Sequence, residues 1–361
     1  MKKKLALLLT VFAAGCGGGG GGSSSGSVPL YFTDDASIYP SVTVKVYQVN
    51  LCSDNNCNTK VNLYDNQNGL AVDLAKLNGV LQYINTANVP QGTYNRLEII
   101  LDKNLTITDP DGINHDAVFV DFSGNPNKPN VVHCDNNTQK CYIRFNGTIQ
   151  PLSMGKLVVD FQLKEFKVDT SGQPWRVTEV KVSPITPSGI NKMKLYLSVQ
   201  AVSSDTITGT MGGKTYTVKV TPNTRCEIGG ENFVGSDCVS QVQPNMCLEV
   251  KTTSDPAVTT NITALELEQE NPEKCSMTGS LNYTIRKFKG QVFVFDPAQR
   301  ILTISTPTQL LISFGVNDKT YCEYNDNYYN GTDCFSYLTP GKMVEVKADP
   351  YRVALKIEIE D

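Results

Sequence analysis

An all-β fold is predicted: an N-terminal antiparallel β-sandwich of Greek-key type, followed by two small tandem β-barrel or sandwich modules. Three observations predict it. Apolar and polar residues alternate at period two through most of the chain, clusters of Gly, Pro, Asn and Asp separate the alternating runs, and the last half of the sequence repeats itself. With 361 residues, 40% hydrophobic and 19% charged, the chain can bury substantial cores and is long enough for two or three domains.

The first element is an address. MKKKLALLLTVFAAGC places three lysines before an apolar stretch from Leu5 to Ala14 that is too short to span a bilayer. Small residues then lead directly into Cys16. Residues 1–15 therefore read as a signal peptide, and Ala13-Ala14-Gly15-Cys16 resembles the bacterial lipobox, in which the cysteine thiol is lipidated; the usual leucine three residues before the cysteine is alanine here. Two or more acyl chains satisfy the requirement for stable anchoring, each buried methylene contributing about 0.8 kcal/mol. Gly17 rather than aspartate follows Cys16, which by the sorting rule of enteric bacteria favours the outer membrane. Residues 16–27 form the lipidated cysteine and a Gly/Ser tether with a reach of roughly 20 Å.

The sandwich is assigned to residues 28–187. VTVKVYQVNL from Val42, NRLEIIL from Asn95, KLVVDFQL from Lys156 and RVTEVKV from Arg176 read as half-buried strands. Only residues 71–85 space apolar positions otherwise. Leu74, Leu77, Leu81 and Ile84 fall on one side of a helix, which predicts a helical turn or two, interrupted by Gly79.

The tail is a duplication, assigned to residues 188–271 and 272–361. RCEIGGENFVGSDC from Arg225 aligns with YCEYNDNYYNGTDC from Tyr321, PNMCLEVK from Pro244 with PGKMVEVK from Pro340, and ALELE from Ala264 with ALKIE from Ala354. Five or six strands in each copy suit a small barrel or sandwich.

Apart from Cys16, ten cysteines remain, an even number suited to disulfides in an exported chain. The repeat assigns one bridge to each copy, Cys226 with Cys238 and Cys322 with Cys334. Cys247 and Cys275 both lack counterparts in the second copy and are expected to pair. Cys52 with Cys57 and Cys134 with Cys141 enclose Asn-rich loops. The alternative, a zinc site built from those four thiols, suffers from spacings that fit a knuckle poorly.

Few residues suggest catalysis. His115 and His133 are the only histidines, no Gly-x-Ser-x-Gly elbow accompanies them, and both read as surface residues. Asp34 and Asp35 are adjacent, so on a strand they point to opposite faces and are poorly placed to share a glycosidic bond. Asp109, Asp111 and Asp116 are weak candidates for calcium, because Pro-Asp-Gly is turn chemistry in its own right. Tyr321, Tyr324, Tyr328, Tyr329 and Tyr337 gather in one loop whose rings, with Asn and Asp, suit a sugar or protein surface. The balance of 32 basic against 36 acidic residues, with no basic run beyond the first four positions, argues against nucleic acid as a partner.

PLYFTDDA at Pro29, SVTVKVYQVNL at Ser41, AVDLAKLNG at Ala71, VPQGTYNRLEIIL at Val89, KLVVDFQLKEFKV at Lys156 and RVTEVKVSPI at Arg176 together resemble domain-of-unknown-function family 4382 of bacterial envelope lipoproteins. The resemblance covers residues 28–185. Its four internal cysteines and Asn-rich loops depart from the simplest members, and the tail copies are similar to another uncharacterised tandem β domain. The resemblance implies a β-sandwich and an envelope location, and supplies no catalytic residue. The expectation is a non-enzymatic, cofactor-free lipoprotein of the cell envelope, anchored to the outer membrane on its periplasmic or surface face, that binds an envelope protein or glycan or adds structure. A glycan-binding adhesive role for the Tyr-rich loop is the alternative; a carboxylate hydrolase ranks last.

Overall fold

The computed structural model describes residues 24–275 and 285–360, apart from 36, 123, 126, 127, 188 and 326. Cys16 and residues 1–15 lie outside the described residues, as does most of the tether; strand Ser25–Thr33 begins within its last three residues.

Strands dominate, as the alternation requires. In Ser41–Cys52 the valines at 42, 44 and 46 are buried while Thr43 and Lys45 lie on the other face. One sheet of the sandwich runs in the order Lys167–Asp169, Trp175–Glu179, Asn114–Phe119, Asn104–Thr108, Ser41–Cys52, Tyr94–Asp102, Lys140–Ile149 and Val132–Asp135, with Lys60–Asp73 also paired to Ser41–Cys52. The facing layer is Ser183–Ile185, Leu157–Asp160, Ser25–Thr33 and Val80–Pro90. Phe32, Val49, Ile99, Phe119 and Phe161 fill the space between, with the Phe32 and Phe161 rings edge to face at 5.2 Å. The sandwich is not purely antiparallel. Ser25–Thr33 pairs parallel with Leu157–Asp160, and Trp175–Glu179 parallel with Asn114–Phe119, because long excursions separate these strands in sequence and no hairpin constrains their direction.

The helical spacing of residues 71–85 resolves into one 3-10 turn, Leu74–Leu77, set between strands. Gly79, at φ 67°, reverses the chain into Val80–Pro90. From there period two takes over. Leu81 and Tyr83 face the first tail copy, whereas Ile84 faces the sandwich core.

Each tail copy has seven strands among the described residues, from Lys192–Val202 to Asn261–Glu270 and from Arg286–Asp296 to Ala354–Glu360. Their registers correspond. Cys226 lies opposite Phe233 as Cys322 lies opposite Tyr329, and both first hairpins carry a register shift, at Val199/Ala201 and at Val292/Val294. The first copy is not separate from the sandwich: Lys192, Met193 and Lys194 pair parallel with Val80, Leu81 and Gln82, so one sheet runs through both. Tyr31, Leu81, Tyr83 and Val158 from the sandwich enter the first copy's core, whereas the second copy closes a core of its own.

Among the described residues five disulfides are present: Cys52–Cys57, Cys134–Cys141, Cys226–Cys238, Cys247–Cys275 and Cys322–Cys334. All are the pairs that spacing and the repeat indicate.

Candidate functional site

The chemistry of this chain concentrates where the three bodies meet. Strands of the tail copies carry Glu and Lys on their second face, and that face is buried. Lys194, Glu227, Glu249 and Glu266 are each at most 2% exposed, and Lys192, Lys347, Lys356 and Glu323 are also buried. Charges rarely sit so deep without partners, and here the partners are one another. Lys347 Nζ lies 3.3 Å from Glu227 Oε2 and also pairs with Glu268, while Lys251 Nζ lies 4.0 Å from Glu323 Oε2. Glu227 and Glu323 are equivalent in the repeat, as are Lys251 and Lys347. The two copies thus contact each other reciprocally, as halves of a two-fold dimer do.

The sandwich joins through its 3-10 turn. Lys76 Nζ reaches Glu268 at 2.9 Å and Glu270 at 2.7 Å in the first copy, and Asp73 receives Lys287 of the second at 3.3 Å. Burial alone would raise the Asp73 carboxyl, but Lys287, Lys274 and Lys76 outweigh it and hold it well below the usual range. At Lys194 burial wins instead: offset only in part by Glu249, it brings the ammonium down to about 8. A second seam forms at the Pro-Asp-Gly turn. Thr308 donates to Asp111 at 2.8 Å, Lys289 N–H donates to the Pro110 carbonyl, and Gly112, at φ 80°, leaves no room for a side chain beneath the Phe288 ring.

This packing accounts for several residues singled out from the sequence. Tyr321 and Tyr328 both donate to Glu266 at 3.0 Å across the contact between copies, so their hydroxyls serve the assembly. Tyr324, Tyr329 and Tyr337 remain half-buried as a ring cluster, with Tyr337 4.3 Å from Tyr329 and 5.3 Å from Tyr324. Asp109 does not converge with Asp111 and Asp116. It accepts from Ile113 N–H and lies 2.7 Å from His115 Nε2, while Asp111 is engaged by Thr308 and Asp116 is exposed.

Neither histidine is a bare surface residue. His115 stacks on Trp175 at 3.8 Å, and His133 is buried between Phe122 and Tyr142, because the turn and the Cys134–Cys141 bridge fold them inward. Asp34 and Asp35 follow the end of strand Ser25–Thr33 rather than lying on it, and both engage the start of the 3-10 turn Leu163–Glu165, Asp34 accepting from Leu163 N–H and Asp35 pairing with Lys164 at 2.7 Å. Among the described residues, the only His, Cys, Asp or Glu group with ligand spacing is Cys52, Cys57 and Glu98, and its two sulfurs are already bonded to each other.

An open groove of about 800 Å³ with mixed polar and apolar lining crosses the outer face of the sandwich. Lys45, Asp102, Asn104, Thr106, Asp116 and Gln173 contribute to it. Tyr47 closes onto Asp102 Oδ2 at 2.9 Å, and burial with this contact raises the phenol to about 12. Such a surface can hydrogen-bond a polar ligand.

Residues 25–175 match the family model described as Domain of unknown function (DUF4382). The matched segment holds most of the sandwich, including Asp73, Lys76 and the Pro-Asp-Gly turn, and ends inside strand Trp175–Glu179, so both tail copies lie beyond it. No curated protein matches the chain. No helix among the described residues is long and apolar enough to cross a membrane.

Sequence reading missed the ionic junction. The signal was there, in CLEVK, ALELEQE, MVEVKA and ALKIEIE, where Glu and Lys fall on the polar phase of apolar strands. Period two separates two faces and leaves open whether the polar one meets water or another polar face.

Proposed function

We propose that this chain is a lipid-anchored protein of the bacterial cell envelope, held at the outer membrane through Cys16, that acts without catalysis as a binding or structural module. The lipobox and the Gly/Ser tether support the address, and the likeness of residues 25–175 to DUF4382 is compatible with it. The observation that carries the reading is the buried junction of Asp73, Lys76, Glu268 and Lys287 with the reciprocal pairs between the copies. Charges committed to one another hold three bodies in one arrangement and are not available as acids, bases or nucleophiles. The sandwich then serves as a platform for the groove, and the tail as a fixed extension of it.

Membrane fractionation with mass spectrometry of the mature N terminus tests the address. A diacylglyceryl group on Cys16 in the outer-membrane fraction is the expected result, and an unmodified chain in the cytoplasm overturns it.

A further inference from the structure

A second cavity, of about 420 Å³, lies between the sandwich and the first tail copy, within the range of about 300–1,000 Å³ typical of small-molecule sites. Gln82 forms part of its wall. This side chain is fully buried, and neither its Oε1 nor its Nε2 has a hydrogen-bond partner, although buried amides in folded proteins are almost always satisfied. The other walls are mostly neutral, with Asp65 and Lys274 the charged members. Tyr64 and Tyr196 contribute rings, Asn66 contributes an amide, and Met211 stands at the hairpin turn. Tyr196 sends its hydroxyl away to Glu249 at 2.9 Å, and Asn66 donates to the Tyr64 hydroxyl at 3.0 Å. The charged groups beside the cavity are engaged as well: Lys274 pairs with Glu270 at 2.9 Å, and Asp65 accepts from Gln67 at 3.1 Å.

We infer that this cleft binds a neutral saccharide, with the Gln82 amide donating to one hydroxyl and accepting from another. An anion would find no unpaired positive charge among the groups named, the one uncompensated charge being that of exposed Asp65, and a purely apolar ligand would leave the amide unsatisfied. A sugar presents adjacent donors and acceptors with an apolar ring face for the tyrosines. The inference rests on the non-catalytic binding reading, and is independent of the lipid anchor. It also moves the expected glycan contact from the loop of the second copy to the seam beside the first.

The test is saturation-transfer NMR on the full-length chain, in a detergent without a sugar headgroup, with maltose, cellobiose and di-N-acetylchitobiose as probes and galacturonate as the charged control. Transfer to at least one neutral disaccharide is expected, reduced at least fivefold by Gln82→Met and abolished by Met211→Trp, which fills the cleft without touching the amide. Thermal melts of both variants verify folding; if Gln82→Met fails to fold, Met211→Trp decides alone. Absence of transfer to any neutral probe overturns the inference and identifies Gln82 as a core amide satisfied by water. Transfer that survives Met211→Trp, or that favours galacturonate, overturns it too. None of these outcomes bears on Cys16, so failure here and failure of the envelope address are separable.

Discussion

Glu266 and Lys356 occupy the same position in the two copies of the tail, and they meet: Lys356 Nζ lies 3.3 Å from Glu266 Oε1. Had duplication left the position unchanged, like charges would face each other near the axis relating the copies. Reversal of one charge converts a repulsion into a pair that also receives the hydroxyls of Tyr321 and Tyr328 on its acidic side. Removing one member of a buried pair strands the other, so Glu266→Lys and Lys356→Glu should each cost about 3–5 kcal/mol. Exchanging both should recover at least about 1 kcal/mol in a double-mutant cycle followed by urea denaturation. Additive losses would show that the two charges do not interact.

Acid should open the junction. Asp73, Glu249, Glu266, Glu268, Glu270 and Glu323 are all held below their ordinary range. Burial alone would raise each, and lysines such as Lys287, Lys194 and Lys347 outweigh it. The unfolded chain therefore takes up protons first, and this stabilisation is complete above the ordinary glutamate value of 4.5 and lost as pH falls below it. Glu227 and Glu345, raised by burial, oppose the trend but are fewer. Calorimetry should show the melting midpoint falling by roughly 10 °C or more between pH 6 and pH 3.5. One molar salt at pH 7 should matter far less, since buried pairs are poorly screened.

Asp34 has the opposite sign. Burial lifts its carboxyl to about 8, only partly countered by the Leu163 N–H, with Asp35 and Asp160 adding to the rise. The folded state keeps this proton where the unfolded chain releases it, so its contribution is greatest at low pH and is lost as pH rises from about 4 to 8. Asp34→Asn keeps the acceptor for Leu163 and removes the titration. The variant should gain about 1–3 kcal/mol relative to wild type between pH 5 and pH 9. An unchanged pH profile would assign the loss elsewhere.

The bridges should rank by loop length. Cys247–Cys275 spans 28 residues and Cys52–Cys57 only 5. In the chain-entropy account the first is worth about 3–4 kcal/mol and the second about 2. Paired Cys→Ser variants compared by denaturant midpoint test the order.

Gly112→Ala asks for a side chain in a left-handed position, 2.6 Å from the Phe288 ring. It should cost about 1–3 kcal/mol and increase hydrogen exchange at Lys289, whose N–H donates to Pro110. Protection unchanged at Lys289 would mean that the turn and the second copy are not coupled.

Much of this architecture was legible. The alternation at Val42, Val44 and Val46 identifies the core face without ambiguity, and the matched Cys-Glu and Asp-Cys signatures specify two copies and four of their cysteines. Four bridges follow because each short spacing or repeat position has one obvious partner, and Cys247–Cys275 follows because those two alone lack counterparts in the second copy. What escaped was relational. Nothing local distinguishes Glu249 in CLEVK from a solvated glutamate, since its burial depends on Lys194, which lies 55 residues away in the chain and 3.2 Å away in the fold. Leu74 and Leu77 mimic a helix for a similar reason, the i, i+3 spacing of one tight turn being shared by both structures. The unpartnered amide of Gln82 has no sequence signature at all, because an alternating strand offers a glutamine equally well to water or to a cleft.

The reciprocal contact between the copies also limits what the tail can become. Repeats joined head to tail keep an unfilled face at each end and can be lengthened into solenoids, whereas a self-complementary contact consumes the same face on both members. With Lys251 opposite Glu323 and Lys347 opposite Glu227, both faces are taken. The tail is a closed pair, and a further copy of the module inserted after Glu270 would find no complementary surface to occupy.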